Sequence, residues 1–180
     1  LPPGILGGII APVAILLATG VGWTGQSVTQ PALRAAFLYN FVKFTEWTGD
    51  GSSGPLTICV VDDTALEGAL TELVGGSNIN GRPVLISRGG RLRACHLVYL
   101  GVTDQERAAS ILEELHGASV LTVSNGSEFV RLGGVVGLFV DQGRMRFAIN
   151  PDAAQRAGLR LSSRLLQLAK ILKDDRHATP

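Results

Sequence analysis

From residue 31 onward the apolar positions follow two rhythms. In residues 31–47, PALRAAFLYNFVKFTEW, Leu33, Phe37, Phe41, Phe44 and Trp47 recur three and four residues apart. That spacing predicts one face of a helix, with Pro31 in its first turn. Residues 56–63, LTICVVDD, form a short β-branched run ending in paired aspartates, the pattern of a buried strand. A helix is predicted over 64–74, with Leu66, Leu70 and Leu73 on one face. VLIS (84–87) is a short strand, RGGRLRA (88–94) a basic loop and CHLVYLG (95–101) another buried strand. The next helix, 103–117, has Thr103 or Asp104 as its N-cap and Gly117 at its end. SVLTVS (119–124) reads as a strand, and NGSEFVRLGG (125–134) holds at most one helical turn. Residues 135–150 read as two strands joined by DQG, a hairpin signal. A short helix (151–158) follows, then a last one from Ser162, with Leu165, Leu168 and Leu172 facing inward.

Strands alternating with helices predict a single α/β domain over residues 31–172. Its sheet is mixed and mostly parallel, of about six strands, with helices on both faces. Five of the ten aromatic residues lie between Phe37 and Trp47. A stripe packed on the sheet is the favoured reading, and an aromatic recognition groove is the alternative. No internal repeat or low-complexity tract is present.

Charge changes the picture at the N-terminus. The chain has 16 basic and 15 acidic residues, a net charge of +1, which points neither to nucleic acid nor to an acidic substrate. Residues 1–33 carry no charge at all. Residues 5–18 have the length and apolarity of a secretory core, and Ala18, Thr19 and Gly20 supply small residues for cleavage. Residues 1–25 are therefore expected to be an export signal, 26–30 a linker and 173–180 a polar tail. A retained anchor over 4–23 is the alternative. Without a cysteine after the apolar stretch, a lipoprotein anchor is not expected. Export makes oxidised cysteines the rule.

Candidate chemistry is sparse. Cys95 and His96 are adjacent, so if both lie in the strand they point to opposite faces and share neither a proton nor a metal. Three scattered histidines and two cysteines make no zinc spacing. The glycine runs at 75–81 and 88–93 lack the strand-to-helix context of a phosphate loop. Asp62 and Asp63 stand where α/β folds build sites, but capping the next helix is favoured over binding a cation. Ser162 and Ser163, beside Arg164, suit an N-cap better than a nucleophile. A disulfide between Cys59 and Cys95 fits two neighbouring parallel strands, with two buried thiols as the alternative. Such a bridge is expected to hold the helix at 65–74 against the sheet. No catalytic residue, metal ligand or cofactor is expected.

The ordered segments RAAFLYNFVKFTEW (34–47), INGRPV (79–84), ACHLVYLG (94–101), VLTVSN (120–125), GRMRFAIN (143–150) and AGLRLSSRLLQLA (157–169) resemble the YfiR family of periplasmic regulators. The positions that carry the resemblance include Phe37, Tyr39, Asn40, Phe44 and Trp47 in the first segment, and Gly81, Arg82 and Pro83 in the second. Gly133 and Gly134, Phe147 and Asn150, and Gly158, Leu159, Ser162 and Ser163 complete the set. The sequence departs from the pattern at Thr48, where proline is usual, at Ala148, where an acidic or amide residue is usual, and at Pro151, where leucine is usual. The resemblance implies an exported protein, localised in the periplasm, that is not an enzyme. Its implied partner is the periplasmic domain of an inner-membrane signalling protein, foremost a diguanylate cyclase, which it represses to lower cyclic di-GMP and biofilm formation. Relief comes with envelope or redox stress, and Cys59 and Cys95 match cysteines that such proteins join. A homodimer is a further expectation, and nucleic acid is not a partner. The alternatives are a small-molecule or peptide binding module serving a sensor kinase or outer-membrane receptor, and, less favoured, a periplasmic enzyme. The residues that grip the partner are not legible.

Overall fold

The computed structural model describes residues 30–48, 54–101 and 104–173. The expected signal segment, the linker up to Thr29, Thr103 and the tail beyond Lys173 lie outside the described residues. Helix α1 (Gln30–Lys43) runs into a short strand, β1 (Thr45–Trp47). Next come β2 (Leu56–Val61), α2 (Thr64–Val74), β3 (Asn78–Ile79) and β4 (Arg82–Arg88). A 3-10 turn over Leu92–Ala94 leads to β5 (Leu97–Leu100), α3 (Gln105–Glu114), β6 (Leu121–Asn125) and the single turn α4 (Glu128–Arg131). β7 (Val136–Asp141) and β8 (Arg144–Ile149) form the expected hairpin, with Gln142 and Gly143 both at positive φ. The described chain ends with α5 (Pro151–Arg156), β9 (Leu159–Leu161), α6 (Ser163–Leu168) and β10 (Lys170–Ile171).

The result is an α/β domain with a mixed, mostly parallel sheet. Among the described residues the sheet has eight strands in the order β10-β8-β7-β6-β5-β2-β4-β3. The two beyond the expected six are the two-residue strands β3 and β10 at its edges. β1 and β9 pair separately as an antiparallel ribbon, Thr45 opposite Leu161 and Trp47 opposite Leu159. The chain reverses direction across the sheet between β2 and β5. β2 passes through α2 to β4 on one side, whereas β5 passes through α3 to β6 on the other.

Alternation along each strand divides the core in two. Ile58, Val60, Leu97, Tyr99, Leu121 and Val123 face α1 and α2, together with Ala153, Ala154 and Leu165 from α5 and α6. Cys59, Val98, Leu100 and Val120 face α3, with Phe129 of α4 beside them. The starts of α2, α3, α5 and α6 each find a side-chain cap. Asp63, Asp104, Asn150 and Ser162 accept from the backbone N–H groups of Leu66, Glu106, Ala153 and Leu165. Asp63 and Ser162 thus cap the helices as expected, whereas Asp62 and Ser163 do not act as caps. α4 packs so closely that a methyl group at Gly134 would strike the Phe129 ring, and one at Gly137 the Gly126 carbonyl.

Three expectations need correction. α1 ends at Lys43, so Phe44 and Trp47 are not on its stripe. Its buried positions are Ala35, Leu38, Phe41 and Val42, with Leu33 and Phe37 only half-buried. The last helix stops at Leu168, because Lys170 and Ile171 pair with Ala148 and Ile149 of β8. Leu168 therefore lies outside, 68% exposed, and of the expected inward stripe only Leu165 is buried. Leu73 of α2 is likewise exposed, and Val74 takes its place in the core.

Candidate functional site

The end of the sheet where the parallel strands begin gathers residues from three of the resembling segments. His96 lies between the 3-10 turn and β5 rather than in a strand. Its backbone N–H donates to Thr57 O (2.9 Å), and its carbonyl accepts from Leu121 N–H (2.9 Å), stitching β2 and β6 to the start of β5. The same carbonyl accepts from the Trp47 indole N–H at 3.2 Å. The ring stands edge-on to the Trp47 ring, centroids 5.5 Å apart. His96 Nδ1 accepts from Thr57 N–H at 3.1 Å, and Arg82 Nη2 lies 3.0 Å from Nε2, where the tautomer sets the roles. Arg82 Nε also donates to the Gly54 carbonyl (2.6 Å). Trp47, Arg82 and His96 thus lock together β1, β4 and the entry to β5.

Cys95, one residue earlier, turns to the other face. It is joined to Cys59 in a disulfide with Cα atoms 6.0 Å apart. Both cysteines are buried among Leu92, Val98, Ala108, Leu115 and Ala118. The bridge therefore supports the α3 side of the sheet, not α2 as the sequence suggested, because Cys59 points away from α2. With its sulfur in the bridge and its neighbour's ring on the far side, Cys95 is not the nucleophile of a Cys–His pair.

The other resembling positions fall into structural roles around this base. Phe37 and Phe147 pack with Phe41 in an aromatic cluster, centroids 5.1–6.0 Å apart. Asn150, fully buried, caps α5 and donates its own N–H to Val135 O. Tyr39 is half-buried and Asn40 exposed on α1, the latter donating to Ala36 O. Phe44 O accepts from Ser162 N–H, Leu159 is buried in β9, and Ser163 is exposed at the start of α6. Thr48, where proline was usual, uses its N–H and hydroxyl to bond the Gly158 carbonyl (3.2 and 2.7 Å). A proline there has neither donor. Gly81, Gly133 and Gly158 sit at positive φ. Pro83 lies in β4 opposite Asn78.

At the opposite end of the strands, the crevice between β2 and β5 is where an open α/β sheet places a ligand. Here the protein fills it with its own ion pairs. Asp62, in left-handed backbone, pairs with Arg107 (2.7 Å), and Asp63 with Arg34 (3.5 Å). Gly101 closes the gap, since a Cβ there would lie 2.7 Å from Asp62 O. No group of three or more potential metal ligands occurs among the described residues.

Near Arg34 the Tyr99 hydroxyl is buried, with Asn125 and Arg34 close by but no well-aligned hydrogen-bond partner among the described residues, and the same holds for Arg34 Nε. Burial pushes the phenol up from its ordinary value, with Asp63 adding to the rise while Arg34 and Asn125 oppose it. Tyr99→Phe is expected to be neutral or to stabilise the protein by up to about 1 kcal/mol at pH 7, because it removes a buried hydroxyl whose contacts with Asn125 and Arg34 are poorly aligned. A phenol whose pKa rises on folding contributes stability that is complete below the unfolded value of about 10 and is lost as pH climbs through the folded one. Urea midpoints at neutral pH and above pH ~10 should therefore show a steeper alkaline loss in wild type than in the variant. A loss beyond about 1 kcal/mol in the variant at pH 7 would mean the hydroxyl has a partner after all.

A groove of about 410 Å³ opens between α3 and α5, floored by Leu115, Val120, Thr122 and Val135 and rimmed by His116 and Arg156. No helix among the described residues is long and apolar enough to cross a membrane.

Comparison with known proteins bears on this arrangement. A family model described as DUF4154, YfiR/HmsC-like, matches residues 31–170. Among solved structures, the fold is similar to that of a conserved domain protein from Vibrio cholerae O1 biovar eltor. That match has a TM-score of 0.52 at 13% identity and covers 81% of this chain and 60% of the other. It is also similar to an ABC domain in complex with L-Trp from Streptococcus pneumonia, with a TM-score of 0.50 at 10% identity, covering 78% and 61%. The chain thus spans about three fifths of the length of these structures.

Proposed function

This chain belongs to the YfiR/HmsC-like family, and we propose that it is a periplasmic regulator that binds and represses an inner-membrane signalling protein, most directly a diguanylate cyclase. The match over residues 31–170 carries this reading. The base of the sheet supports it, because segments typical of a regulatory family converge there beside a disulfide that belongs in an oxidising compartment. The partner is gripped while the bridge is closed. Reduction frees β2 from the entry to β5, loosens the α3 side of the sheet and weakens the grip. No step in this account needs catalysis, a metal or a cofactor.

The reading requires export. Mass spectrometry of the protein from its host is expected to find a mature N-terminus between about Val21 and Ser27, by the length rule for signal peptides. An intact N-terminus in the cytosolic fraction would contradict it. Capture from detergent-solubilised membranes, with and without dithiothreitol, tests the binding. A membrane signalling protein should be retained under oxidising conditions and released by reductant, and capture of none under either condition would sink the proposal.

The groove between α3 and α5 favours a second reading, a small-molecule binding module, because its volume lies within the usual range for ligand sites. A saturable rise in melting temperature with L-tryptophan, absent in an Ala118→Trp variant that still folds, would support it. An unchanged melting temperature would count against this ligand.

A further inference from the structure

We propose that the outer edge of β8 is a docking edge for an extended, acidic partner segment, which adds to the sheet as one more strand. The inference rests on the reading of the chain as a partner-binding regulator and names the chemistry of what it grips.

The backbone sets the edge. Asn150 N–H donates inward to Val135 O, whereas Ile149 O accepts from Leu172 N–H on the outer side. With a two-residue period, Phe147 and Met145 also turn their N–H and C=O groups outward. β10 pairs only with Ala148 and Ile149, so its coverage stops before them. A groove of about 320 Å³ lies here, lined in part by Arg146, Phe147, Leu168, Ala169 and Lys170.

The side chains define the occupant. Arg144 and Arg146 share a face of β8, and the register of Lys170 with Ala148 puts Lys170 on that face too. All three are exposed, and none forms an ion pair among the described residues. Asp141, opposite Arg144, is the only carboxylate in register with them among the described residues. The other face of the edge is apolar. Met145 of β8 is half-buried there, Val140 one strand further in is 61% exposed, and Ile171, in register with Ile149, is 48% exposed. Charges alone commonly protect a sheet edge from unwanted pairing. Here half-buried Met145 and exposed Ile171 put apolar surface on the other face of the same edge, which a protective device would avoid. A strand alternating acidic and apolar residues meets the cations on one face, Met145 on the other, and the outward-turned backbone groups of Met145 and Phe147 between them.

The test uses the purified protein with its disulfide intact and a heptapeptide alternating glutamate and valine, followed by amide NMR shifts. Saturable shifts centred on the Met145 and Phe147 amides are expected, with affinity at least ~10-fold above that of the lysine–valine counterpart, a charge-pairing effect of the size seen at interfaces. Arg144→Glu with Arg146→Glu should lose at least that factor. Met145→Pro, which removes an outward N–H, should also weaken binding if circular dichroism shows it folded. Equal binding of the acidic and basic peptides, shifts elsewhere on the surface, or unchanged binding by the folded charge-reversal variant would each overturn the proposal. So would displacement of the peptide by a second copy of the chain pairing through this edge. Membrane capture by the charge-reversal variant separates the two readings. Full capture there would leave the regulator standing and remove this edge from it.

Discussion

The Cys59→Ala, Cys95→Ala double variant is expected to lose about 3–4 kcal/mol of stability, the chain-entropy value for a bridge closing a loop of this length. The cysteines are 36 residues apart and buried at 1% and 5% exposure, so the bridge constrains a long loop from inside the core. For a domain of this size the loss corresponds to a melting temperature lower by roughly 6–16 °C. Reductant should bring wild type down to the variant and leave the variant unchanged. Wild type and variant melting alike under oxidising conditions would refute the bridge's role. The damage should be greatest on the α3 side, where both cysteines pack. Amide exchange should therefore rise first around Leu97, Val98 and the inner face of α3, with α1 and α2 less affected.

Phe41→Ala is expected to cost about 3–5 kcal/mol, the usual range for deleting a buried phenylalanine. Phe41 is 1% exposed and stands between Phe37 and Phe147, which it joins across the helix–sheet interface. Phe41→Leu should recover part of that loss, since it keeps most of the apolar volume. Phe37→Ala should cost clearly less, because Phe37 is half-buried. Denaturant midpoints of the three variants check the order. A loss below about 1 kcal/mol for Phe41→Ala would show that the site collapses around the gap.

That order could not be read from the helical stripe alone. Sequence spacing gave Phe37, Phe41, Phe44 and Trp47 equal standing. The sheet instead meets α1 along Ala35, Leu38, Phe41 and Val42, with a small residue at one point of approach. Trp47 leaves the helix because Thr45–Trp47 finds a strand partner in Leu159–Leu161, more than a hundred residues further on. The end of α6 was missed for a similar reason. LLQLAKIL continues a helical rhythm, but β8 offers Ala148 and Ile149 for pairing, and tertiary pairing overrides local propensity. What the sequence did show well was local. The buried strands β2 and β5, the hairpin at Gln142 and Gly143, and the caps at Asp63, Asp104 and Ser162 each rest on residues close together in the chain.

The base cluster had a different kind of visibility. Trp47, Arg82 and His96 were each legible as parts of family-like segments, but nothing local says that they touch. His96 is one polar residue between a loop and an apolar strand, and Arg82 follows an ordinary turn. Only the parallel pairing of β2 with both β4 and β5 brings them together. The outer edge of β8 was hidden for the same reason, since it exists only because β10 is two residues long.

Intracellular cyclic di-GMP in the native host, followed with the gene deleted and then restored, tests repression of the cyclase most directly. Repression of a diguanylate cyclase predicts a clear rise on deletion. Restoring the wild-type gene should reverse it, and restoring the Cys59→Ala, Cys95→Ala form should reverse it only in part. Cyclic di-GMP unchanged by deletion would contradict the account.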